Sequence, residues 1–73
     1  MIIRNYTFSE CISQANIDLE RAFYYGSHNS KLRDNVCAIK ATNAGMWFEL
    51  ATIAKNHSSI QVRITHSGMP FQV

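Results

Sequence analysis

Two cysteines, Cys11 and Cys37, and three histidines, His28, His57 and His66, are the side chains of this 73-residue chain best suited to hold a metal or act as nucleophile or base. A zinc site asks for three or four such ligands at one point, usually announced by pairs two to four residues apart. No such pair occurs, and the histidines fall in a loop, near a helix end and in a turn, so no metal site is expected. Ser27, His28 and Asp34 would make a triad on paper, but their crowding in one polar stretch reads as turn chemistry. Gly26, Gly45 and Gly68 stand too far apart to cradle a phosphate. The reading is a protein without catalytic residues and without a cofactor.

The elements that position these side chains follow from the apolar pattern. Ile2, Ile3 and Tyr6 form a short strand, and Thr7-Phe8-Ser9-Glu10 has the spacing of a capping box that opens a helix. Phe8, Cys11, Ile12, Ala15, Leu19, Ala22 and Phe23 recur in steps that predict one buried helical stripe, ended by Gly26. Both cysteines are then core thiols: Cys11 on that stripe, Cys37 in a later strand. Ile17 and Tyr24 fall on the opposite side of the helix. Residues 27–35 read as a polar loop. Val36 to Thr42, small or apolar on both alternating faces, reads as a central strand. After Asn43-Ala44-Gly45 a second helix carries Met46, Trp47, Leu50, Ile53 and Ala54 on one stripe, with Phe48 and Lys55 pointing away.

Ile60, Val62 and Ile64 alternate with Gln61, Arg63 and Thr65, a strand with one buried face. A two-residue turn at Ser67-Gly68 would set Ile64 opposite Phe71 and Val62 opposite Val73, with Pro70 at the start or edge of the last strand. The expected fold is α/β in the α+β sense: a single domain over residues 1–73 in the order βαβαββ. It is a two-layer sandwich with two helices on one face of a four-stranded mixed sheet. The other sheet face would show Gln61, Arg63, Thr65 and Gln72, with Tyr6 as its one candidate aromatic.

The totals bound the function classes. The chain is 47% hydrophobic and 16% charged, which favours a folded core over disorder. Two cysteines and no apolar leader point to a cytoplasmic protein, and no apolar run suits a membrane span. A net charge of +2 is too small to argue for nucleic acid by itself.

The segment Gly45-Met46-Trp47-Phe48-Glu49-Leu50-Ala51, with Ser58 to Ile64 and the turn at Gly68, resembles the first helix and following hairpin of the HPr histidine phosphocarriers. That family reads Gly-Leu-His-x-Arg-Pro-Ala at the helix start. The resemblance covers residues 36–73 and implies a related α/β arrangement there. Its phosphate chemistry does not carry over, because Trp47 stands at the histidine position, Glu49 at the arginine position and Leu50 at the proline position. A similar order of elements occurs in small sulfur-carrier proteins, but Cys11 lacks the prolines of their Cys-Pro-x-Pro motif.

Two functions remain. The first is a small regulatory or adaptor protein that docks on a protein partner, or on a second copy of itself as a homodimer, through Phe48, Trp47, Ile17 and Tyr24. The second is nucleic-acid binding across an open sheet face, with Arg4, Lys40 and Arg63 on phosphates and Lys31 and Arg33 contributing from the loop.

Overall fold

A computed structural model describes residues 2–26 and 31–73, with side chains from Asn35 onward in the second segment. The elements are β1 (Ile2–Tyr6), α1 (Phe8–Gly26), α2 (Lys31–Ala54), β2 (Ile60–Ile64) and β3 (Pro70–Gln72), in the order βααββ. This is an α+β domain of two packed helices and a three-stranded antiparallel sheet in the order β1-β2-β3.

The start of α1 follows from the capping box. Glu10 N donates to Thr7 Oγ1 at 3.2 Å and Thr7 N to Glu10 Oε1 at 3.1 Å, so two backbone donors at the helix entrance are satisfied reciprocally.

The expected strand over Val36 to Thr42 is absent, which removes the fourth strand and the mixed sheet. These residues belong to α2, which begins at Lys31, inside the stretch read as a loop, and runs unbroken through Asn43-Ala44-Gly45. The reason lies in the inward positions. Cys37, Lys40, Ala44, Trp47, Ala51 and Ala54 follow at alternating steps of three and four and are buried or half-buried. A polar Lys40 on that seam, and apolar Ala38 and Ile39 on the exposed side, hide the helical period. Gly45 sits in mid-helix with open space where a Cβ would be, so a side chain there would meet nothing.

The core lies between the sheet and the adjoining parts of the helices. It gathers Tyr6, Cys11, Ala15, Trp47, Leu50, Ala51, Ala54, Ile60 and Val62. The Tyr6 ring meets Trp47 edge-on, with centroids 4.9 Å apart, a geometry favoured by the ring quadrupoles. Tyr6 is therefore on the core face, not the open one. The same helices continue past this cluster, giving a body 41 × 21 × 12 Å along its principal axes.

The terminal hairpin forms, one residue out of the expected register. Ile64 pairs with Pro70, Arg63 with Phe71 and Val62 with Gln72. The connection is a three-residue loop rather than a two-residue one. Gly68 N donates to Thr65 O and Thr65 N to Met69 O, and Gly68 takes φ +83°, the left-handed residue that such a loop needs. Since side chains alternate along a strand, the slip reverses the faces of β3. Pro70 turns inward and is buried, while Phe71 shares the outer face with Arg63.

Candidate functional site

Three of the four aromatic and apolar docking candidates lie on the surface. Phe48 and Ile17 are each about two-fifths exposed and Tyr24 more so, its ring edge-on to Tyr25 at 5.3 Å. Trp47 departs from expectation. Only 2% of it is exposed, because its position on the α2 seam places the indole between Tyr6 and the helices. It is a core residue and offers no surface to a partner.

Sequence reasoning missed other exposed side chains. Phe8, Leu19 and Phe23, expected on the buried stripe of α1, lie outside it: the stripe that faces α2 is Cys11, Ala15, Asp18 and Ala22. Phe23 is 72% exposed and Leu19 and Phe8 over a third exposed. Asp18 takes the inward position because Lys40 reaches it from α2, Nζ to Oδ1 at 3.9 Å. Burial pushes the Asp18 carboxyl above its ordinary value, and the attraction of Lys40 and Arg21 only partly offsets this. The available signal was that Asp18 fits the three-four spacing from Ala15 to Ala22 as well as Leu19 does.

The open sheet face carries Ile3, Asn5, Gln61, Arg63 and Phe71. Arg63 lies over the Phe71 ring, 5.7 Å from its centroid. Among the described basic candidates only Arg63 lies on that face. Arg4 lies over the Tyr6 ring at 5.3 Å, and Lys40 is held between the helices by Asp18. Lys31 and Arg33 have side chains outside the described residues, as do Ser27, His28 and Asp34.

A cleft of about 240 Å³ opens where the hairpin tip meets α2, lined by Ala38, Ile39, Thr42, Asn43, Ser67 and Met69. Asn43 is fully buried; its Nδ2 donates to Ser67 O at 3.0 Å and fastens the tip to the helix, while its Oδ1 meets no donor among the described residues. A Cβ on residue 68 would come within 3.2 Å of the Asn43 amide, so the glycine serves both the turn and the docking. Among the described residues no titratable side chain lines this cleft.

Other groups that could do chemistry stay apart. Among the described residues no three histidines, cysteines or carboxylates gather where an ion could bind. Cys11 is buried, and burial together with the Glu10 carboxylate pushes its thiol up, away from the reactive thiolate. Cys37, expected in a strand, lies on α2 and donates to Ala22 O at 3.2 Å. The segment from Gly45 to Ala51, which resembles the helix start of the HPr family, lies in mid-helix, so its N–H groups are engaged within α2. No described helix is long and apolar enough to cross a membrane.

Compared with known proteins, the chain matches no family model, no curated protein and no solved structure.

Proposed function

We propose that the chain is a non-catalytic protein-binding module, a small regulatory or adaptor protein that acts through large apolar side chains outside its core. One observation carries this reading. Among the described residues, five of the eleven buried hydrophobic ones are alanines, while twelve large hydrophobic side chains remain more than a third exposed. Single exposed apolar residues are ordinary, but a fold that packs alanine inside and leaves Phe8, Phe23, Phe48 and Phe71 outside has its binding-type side chains at the surface.

The test is capture of partners from the native host by the wild-type chain and by Phe48→Ala, at low and high salt and after nuclease treatment. The expected result is a protein partner retained at high salt and lost in Phe48→Ala, with thermal unfolding of the variant within a few degrees of wild type. A complex that vanishes with nuclease or with salt alone would replace this reading with nucleic-acid binding.

A further inference from the structure

The docking reading leaves its partner unspecified, and α1 supplies an occupant. Phe8, Ile12, Leu19 and Phe23 follow one another at intervals of four, seven and four residues. At about 100° per residue they fall on one strip of α1 roughly 60° wide. It lies beside the stripe that α2 covers, Cys11, Ala15, Asp18 and Ala22. Phe8, Leu19 and Phe23 are exposed there and Ile12 is half-buried.

The sequence of intervals is the same from either end. A two-fold interface has this property, because each residue that meets a position on its partner is met there in return. If α1 packs antiparallel against α1 of a second copy, with the axis passing between Ala15 and Asn16, Phe8 faces Phe23 of the other copy at both ends. Ile12 then faces Leu19 on either side of the centre. We propose that this strip is an interface between two copies of the chain, paired antiparallel along α1; the inference rests on the reading that the exposed apolar side chains bind, and gives the α1 strip, as distinct from Phe48 on α2, a second copy as its occupant.

Charge permits the pairing. The strip holds no charged side chain, and Glu20 on its flank would lie about 13 Å along the helix from its copy, beyond a screening length of about 8 Å. Asn16, exposed beside the axis, brings an amide donor and acceptor that its copy can answer, a device that fixes register. With about 200 Å² for a large side chain, the exposed parts of Phe8, Leu19 and Phe23 supply roughly 300 Å² of apolar area per copy. Interfaces are about 60% apolar, so the whole contact buries about 1,000 Å² over both copies, the lower bound for a specific interface. The dimer should therefore dissociate in the micromolar range or above.

Sedimentation of the full chain from micromolar to millimolar concentration tests this. A reversible monomer–dimer equilibrium is expected, with Leu19→Asp raising the dissociation constant at least about tenfold while the helical circular dichroism stays unchanged. Phe8→Lys and Phe23→Glu should each weaken association. The double variant F8K/F23E should recover much of it, because each new charge then faces its opposite across the axis. A chain that stays monomeric throughout, a dimer indifferent to Leu19→Asp, or a double variant no better than the singles would overturn the two-fold interface. A monomeric chain whose capture of a host protein still depends on Phe48 would leave the docking reading standing without this partner.

Discussion

Two stretches of the same helical pair are built on different terms. Beside the sheet, α1 and α2 pack Trp47, Leu50 and Tyr6 with Ile60 and Val62 into one buried apolar cluster. Farther along, the pair meets through Asp18 with Lys40 and Ala22 with Cys37, while Leu19, Phe23 and Ile39 lie outside. One end takes its stability from apolar area removed from water. The other spends inward positions on small and charged groups and leaves its large side chains for something else to cover. A short chain can afford only one such core, so the surplus apolar area is where binding is to be sought.

The sharpest way to break this contrast is at Trp47. Trp47→Ala should cost about 3–5 kcal/mol, as removal of a large buried aromatic does, and chemical denaturation should show most of the chain unfolded. A mild effect would mean that the sheet end is not the stable one. Leu50→Ala should cost about 2–5 kcal/mol by the same argument.

Next in size is the clasp between α2 and the hairpin tip. Asn43→Ala removes the donor to Ser67 O and should cost about 1–3 kcal/mol, with amide exchange speeding up first in Thr65 to Met69. Uniform loss of protection across the sheet instead would show that the clasp and the core unfold as one.

Asp18 probes the outer half through pH. Its native carboxyl binds its proton more tightly than the unfolded one, so its contribution to stability is fully present below the unfolded value of about 3.8. That contribution is lost as pH rises through the raised native value. Asp18→Asn should abolish this slope and raise the melting temperature at neutral pH, since burial outweighs the attraction of Lys40 and Arg21. A neutral-pH melting temperature lower than wild type would reverse the balance and make the ion pair the stabilising element of the outer half.

The smallest change expected is a gain. Gly45→Ala should stabilise by about 0.5–1 kcal/mol, the helical propensity difference, because a methyl group there meets no neighbour. A loss would indicate that a partner approaches that point of α2.

These particulars also explain what could be read without coordinates. The capping box at Thr7 and Glu10, the strand at Ile60 to Ile64 and the inward Trp47, Leu50 and Ala54 were legible because local spacing determines them, whereas Ile53, expected beside them, is exposed and Ala51 takes an inward place. Val36 to Thr42 was not, since small and apolar residues on both sides, with the polar Lys40 on the inward seam, fit a buried strand and a helix alike and only the neighbouring element decides. The hairpin was legible in existence but not in register, because Thr65 and Met69 close a loop one residue longer than Ser67-Gly68 suggests. That single residue moved Phe71 from the expected core to the open sheet face. The α1 surface was misread for a similar reason: Asp18 and Leu19 are adjacent candidates for one inward position, and only Lys40, twenty-two residues on, settles which turns in.

The pairing of Ile2 with Ile64 joins β1 to the middle strand across both helices. During synthesis β1 emerges before both helices and has no strand to bind until β2 has followed them. The helices are closed by contacts nearer in sequence and can zip together before the sheet exists. A chain cut short before Ile60 would thus keep its helical segments yet leave Ile2 and Ile3 on a strand without a mate, a species prone to associate with its own kind.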